Sequence, residues 1–109
     1  MSLTFKPKNR TARIEILNYT VRMRVVKRRP VGFKTAHAWV KHDRRNHVTI
    51  FFPHGQTART PVLVHEITHV LQYMMHDIAS LDFDQDMELF SYIAEYLFMT
   101  FIGYTRVSP

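Results

Sequence analysis

The chain changes its hydrophobic period once, near residue 60. Before that point apolar and polar residues alternate with the two-residue period of strands. Arg13-Ile14-Glu15-Ile16-Leu17 leads into Asn18-Tyr19-Thr20, where a turn or bulge is expected. Val21-Arg22-Met23-Arg24-Val25 alternates cleanly, which puts Val21, Met23 and Val25 on a buried face. Lys27-Arg28-Arg29-Pro30-Val31-Gly32 reads as a basic loop. Ala36-His37-Ala38-Trp39-Val40 is the next strand, and His47-Val48-Thr49-Ile50-Phe51-Phe52 the one after, with Asp43-Arg44-Arg45-Asn46 suited to a hairpin between them.

After residue 60 the period is helical. Thr60 is a good N-cap, and Pro61 fits the first helical position, where its missing N–H costs nothing. This helix should run through His65 and His69 to about Met75 or Asp77. Asp82, Asp84 and Asp86 crowd the start of a second helix, where carboxylates meet the positive end of the dipole. Met87, Phe90, Ala94, Leu97, Phe98 and Phe101 recur at helical spacing, and Gly103 is a natural stop. The fold class is therefore α+β: a small, mostly antiparallel sheet of three or four strands followed by two long helices.

With 109 residues the chain is read as one domain, since shorter pieces could not each bury a core. Charge divides it at the same place as the hydrophobic period. Residues 1–59 carry fourteen Lys and Arg against two acids, a net +12; residues 60–109 carry Arg106 against seven acids, a net −6. A basic half of this kind suits nucleic acid or an acidic partner, with residues 22–45 as the candidate surface. The plainer reading is that the two halves pack together and partly neutralise each other. Cysteine is absent, which removes disulfides and thiolate metal sites, so a metal would be held by His and carboxylate ligands. No apolar stretch is long enough for a membrane span, and Met1 to Lys6 lacks the apolar core of a signal peptide. The expectation is a cytoplasmic protein without membrane contact.

The chemistry concentrates in His65-Glu66-Ile67-Thr68-His69. Two histidines four apart on a helix project from one face, one turn apart, and can coordinate one tetrahedral zinc. Glu66 beside the first of them is placed to take a proton from water. With seven His and four Glu in the chain, about 0.016 chance matches to this spacing are expected, so coincidence is a weak account. A catalytic zinc needs a third protein ligand. Glu88 and Glu95, two turns apart on the next helix, are the candidates. Glu88, near the start of that helix, is the preferred ligand, which leaves Glu95 to hydrogen-bond a ligand imidazole. His76 follows His69 by seven residues, about 10 Å along a continuous helix, which is too far for the same metal.

These residues resemble the gluzincin branch of the zincin metallopeptidases: His65-Glu66-x-x-His69 followed by Glu88 on the next helix. Ala36-His37-Ala38-Trp39 is similar to the substrate-binding edge-strand segment of that group, and the span of roughly residues 35–100 is about the size of a minimal gluzincin domain, including phage-encoded ones. A metzincin would need Gly and a third His shortly after His69, where this chain has Gln72 and Met75. The position four after Glu88 is Tyr92, where many gluzincins have Asp. The resemblance implies a zinc peptidase in which Glu66 is the general base and the substrate peptide extends along Ala36, His37, Ala38 and Trp39. Tyr92 would stabilise the oxyanion, with His47 or His54 behind it. The alternative function is a binding module that uses its basic sheet for nucleic acid or a partner protein, with zinc structural or vestigial.

Overall fold

The computed structural model describes residues 3–28, 37–82 and 84–103. Its elements in chain order are β1 (Thr4–Phe5), β2 (Arg10–Ile14), β3 (Tyr19–Val26), β4 (Trp39–Arg44), β5 (His47–Pro53), β6 (Ala58–Arg59), α1 (Thr60–Asp77) and α2 (Met87–Ile102). β1 and β6 form a short antiparallel pair, and the main sheet has the order β2-β3-β5-β4. Two of its three pairings are antiparallel, so the fold is the expected α+β arrangement of a mostly antiparallel sheet followed by two helices.

The exception lies at the centre, where β3 and β5 run parallel. After β3 the chain passes beyond the position of β5, forms β4 at the sheet edge, and returns by a hairpin to fill the gap. A strand inserted in this way must run parallel to β3 and antiparallel to β4. Burial follows: Val21 and Met23 of β3 and Val48, Ile50 and Phe52 of β5 are almost wholly shielded from solvent. The shielded side is the inner one; on the outer side of the same pair Arg22 is exposed.

Several boundaries move from their expected places. The first strand ends at Ile14, and Glu15–Leu17 is a 3-10 turn followed by Asn18 in the left-handed region at φ 51°. Arg13 closes this turn by donating to the Thr20 hydroxyl at 2.8 Å and to the Asn18 side chain. Ile16, counted as a strand residue from its alternation, is consequently exposed. β4 begins at Trp39 and runs to Arg44, so the hairpin reverses at Arg45 and Asn46, with Asn46 at φ 66°. A bulge between His42 and Arg44 absorbs the extra residue. Ala36 and residues 29–32 of the basic loop lie outside the described residues.

α1 starts at Thr60 with Arg59 as its cap, one residue before the expected N-cap, and Pro61 takes the tolerated position in the first turn. Its buried stripe is Leu63, Glu66, Ile67, Val70, Met74 and Asp77. α2 buries Phe90, Ile93, Leu97 and Phe101. Met87, expected in that stripe, is exposed at the first turn, and Ile93, not expected there, is buried. α2 stops at Gly103, whose φ of 79° suits glycine; a Cβ there would meet the Arg10 guanidinium at 2.7 Å. Both helices contribute to one apolar cluster with the inner face of the sheet. Each such large side chain contributes about 1.5–3 kcal/mol by leaving water. No helix among the described residues is long and apolar enough to cross a membrane.

Candidate metal centre

α1 sets out its functional side chains by helical geometry alone. At about 100° per residue, Leu63, Ile67, Val70 and Met74 face the sheet, while His65 and His69 fall well round the helix toward solvent, exposed and half-buried respectively. Glu66 lies between, at the border of the core, and is 6% exposed. The two imidazoles meet edge to face, with ring centroids 4.8 Å apart and Nε2 atoms 3.2 Å apart. Two nitrogens held at zinc–nitrogen distances about a tetrahedral ion stand about 3.3 Å apart. Gln72 Oε1 lies 3.1 Å from His69 Nδ1. With Nδ1–H donating to that oxygen, Nε2 is left as the lone-pair nitrogen that faces His65. The pair therefore suits zinc in donor type, spacing and orientation. Burial pushes the Glu66 carboxyl above its ordinary pKa, and the neighbouring His65 and His69 pull it part of the way back.

The third ligand is not assembled with them. Every His, Asp and Glu of the chain is among the described residues. Among those residues, no group of three forms a metal-holding cluster. Glu88 and Glu95 are both exposed. On the helical wheel they lie roughly opposite the stripe of Phe90, Ile93, Leu97 and Phe101, about 180° away. Tyr92, between them on the same side, is 62% exposed. The structure thus brings together His65, Glu66 and His69, and leaves Glu88, Tyr92 and Glu95 on the solvent side of α2. Their apolar sequence neighbours suggested burial, but the apolar excess belongs to the other side of that helix.

The histidine pair opens onto a cavity of ≈ 340 Å³ bounded by Ala38, Trp39 and Val40 on one side and by His65, Glu66, His69 and Tyr73 on the other. β4 is the edge strand of the sheet, so the start of an edge strand forms the wall opposite the motif. This is where Ala38 and Trp39 were expected. His37 instead lines a separate cavity with Pro7, Phe52 and Arg59, and Ala36 is not described. His47 points from the other face of the sheet, and His54 is exposed beyond the end of β5.

A second hollow of ≈ 420 Å³ continues the cleft along α1, bounded by His42, His69, Gln72, Tyr73 and His76. His42 comes from β4 and stacks on Tyr73, with centroids 4.8 Å apart. Its Nε2 is 2.8 Å from Asp77 Oδ2, which also accepts from the Tyr19 hydroxyl at 2.7 Å and the Asn46 backbone N–H at 3.1 Å. Asp77 is 7% exposed. Burial alone would raise its pKa, but the donors Tyr19, His42 and Asn46 outweigh that and hold it below the usual carboxylate value. Burial, with the hydrogen bond and charge of Asp77 behind it, pushes the Tyr19 hydroxyl well above its ordinary value.

His42, Tyr73 and Asp77 were not singled out from the sequence, yet each left a signal there. Tyr73 continues the four-residue spacing of His65 and His69. His42 is a polar residue on the inward phase of its strand, two after Val40. Asp77 is a carboxylate in phase with Val70 and Met74. Comparison with protein-family models, with curated proteins and with solved structures gives no match for this chain.

Proposed function

We propose that the chain is a zinc-dependent peptidase whose centre is His65, Glu66 and His69. One observation carries this reading: the two Nε2 atoms stand 3.2 Å apart beside a buried carboxylate, on a cleft bounded by an edge strand. Zinc, when bound, supplies the Lewis acidity that polarises a peptide carbonyl. His65 and His69 hold it, and Gln72 fixes the orientation of His69. We assign the third ligand to Glu88, which has to be recruited from its exposed position on α2. Glu95 is then the reserve carboxylate, two turns further along the same face.

Glu66 takes the proton from an attacking water and returns it to the leaving amine, a role that a carboxyl raised by burial fits. The substrate is an extended peptide laid beside β4, bound by main-chain hydrogen bonds to the edge strand. His42 replaces Tyr92 as the donor to the developing oxyanion: it borders the cleft, Asp77 fixes its ring through Nε2–H, and in the imidazolium form Nδ1–H is the second donor. A chain without cysteine suits a reducing compartment, and we place the activity in the cytoplasm.

The test is metal content by elemental mass spectrometry on protein purified without chelator. About one zinc per chain is expected, with a large loss in His69→Ala and in Glu88→Ala and little change in Glu95→Ala. Parent protein without zinc after reconstitution would end the peptidase reading. Loss in Glu95→Ala rather than Glu88→Ala would exchange the two carboxylates.

A further inference from the structure

The sheet has a second face, turned away from the apolar cluster beneath the helices, and its pairing register orders that face into rungs. Arg44 and Arg13 flank the first rung, with His47 between them. Lys41 and Arg22 share the second, on either side of Thr49. Trp39, Phe51 and Arg24 make the third. Successive rungs are about 6.7 Å apart, two residues along a strand, comparable to the separation of neighbouring phosphates in an extended nucleic-acid strand.

Each rung carries at least one cation, and the carboxylates nearby are few. Glu15 pairs with Arg13 at 3.6 Å, and Asp43 accepts the Thr49 hydroxyl. Arg22, Lys41 and Arg44 are exposed and make no ion pair among the described residues. Their field is felt at His47, whose pKa is lowered first by burial and then by Arg44, Arg22 and Arg13. The third rung adds a different chemistry. Phe51 stacks on Trp39 with centroids 5.6 Å apart and planes 14° from parallel, and Phe51 is half-buried, with part of its surface in solvent.

We infer that this outer face binds single-stranded nucleic acid, with Arg22, Lys41 and Arg44 meeting phosphates and the exposed part of Phe51, backed by the buried Trp39, offering a surface on which a base stacks. Cations in register with aromatic rings are what a backbone-tracking, base-stacking platform requires. A duplex fits less well, because reading its groove takes a helix or a projecting ribbon, and both helices pack on the opposite side of the sheet. An acidic peptide could use the cations but would gain nothing from the aromatic pair. The inference does not rest on the peptidase reading: of these residues only Trp39 also borders the cleft beside His65 and His69.

The experiment is fluorescence anisotropy of a labelled oligothymidylate of about twelve nucleotides, with unlabelled duplex of equal length and polyglutamate as competitors. Binding should weaken steeply with salt, with a slope corresponding to about three phosphates. Arg22→Glu combined with Lys41→Glu should weaken it about tenfold or more and flatten the salt dependence. Phe51→Leu keeps apolar bulk but removes the ring, and should weaken binding about fivefold or more with the salt slope unchanged. The exposed Arg22/Lys41 pair keeps the test valid if Phe51→Leu lowers the melting temperature. Absence of binding at low salt, equal competition by duplex or polyglutamate, or full affinity in a folded Phe51→Leu protein would each overturn the inference.

Discussion

Helices α1 and α2 are of similar length, 18 and 16 residues, and both close the same core, but their buried stripes differ in kind. That of α2 is wholly apolar: Phe90, Ile93, Leu97 and Phe101. That of α1 interrupts Leu63, Ile67, Val70 and Met74 with Glu66 and Asp77. A buried carboxylate costs several kcal/mol of lost hydration unless hydrogen bonds return it. Asp77 is compensated by three donors. Glu66, whose pKa burial has raised, is less well compensated. α2 thus offers the core only packing surface, whereas α1 carries two carboxylates at the edge of that core, one of them on the cleft.

The largest effect should come from α2. Phe101→Ala removes a fully buried ring from the apolar cluster and should cost about 3–5 kcal/mol, read as a loss of unfolding free energy in urea. Its ligand residues untouched, any folded fraction should still bind zinc. Asp77→Asn comes next, at about 1–2 kcal/mol, because the amide oxygen can still accept from Tyr19, His42 and Asn46, which all donate to Oδ2, but without the charge that strengthens those bonds. This loss should depend on pH. The folded pKa of Asp77 lies below its unfolded value of about 3.9, so its stabilisation is complete well above pH 4 and fades as pH falls through the folded value. The gap between parent and Asp77→Asn should thus be wide at pH 7 and narrow below about pH 4. A gap that stays constant across that range would mean that Asp77 acts by shape rather than by charge.

His42→Gln separates the two duties of the Asp77 network. The stacking on Tyr73 and one hydrogen bond are lost or weakened, for about 1 kcal/mol of stability. If His42 serves the oxyanion, kcat should fall by about 100-fold while zinc content and KM change little. A stability loss without a kcat effect would confine His42 to architecture.

The contrast between the helices also explains what the sequence made legible. The helices, their ends and most of the buried face of α2 follow from a period of 3.6, from Pro61 and from Gly103. Those signals are local, and tertiary packing had little reason to override them. The parallel pairing of β3 with β5 was not legible, because strand order depends on where a connection lands and no residue pattern records that. The strand expected through Leu17 failed because alternation continues in Glu15-Ile16-Leu17 while the chain is already turning. At the site, His65, Glu66 and His69 were readable since one helix fixes their spacing. Glu88, Tyr92 and Glu95 required knowing which side of α2 is buried, and in a helix so rich in Phe, Leu, Ile and Tyr the apolar count alone does not tell. His42 and Asp77 come from elements 35 positions apart, and only the fold joins them.

Glu66→Gln gives the smallest expected change in stability and the sharpest test of the contrast. Glutamine keeps the shape of the side chain and removes the charge that burial opposes. The melting temperature should therefore hold or rise slightly, by no more than about 1 kcal/mol in stability, because the neutral amide is cheaper to bury. Peptide cleavage should fall by about 100- to 10,000-fold, the usual contribution of a general base. Zinc content should stay near that of the parent, since neither His65 nor His69 changes. This combination, stability kept or gained with activity lost, is the opposite of what a core residue of α2 shows. Were Glu66→Gln instead to lose stability as Phe101→Ala does, Glu66 would be a structural carboxylate, and the two helices would differ in composition but not in purpose.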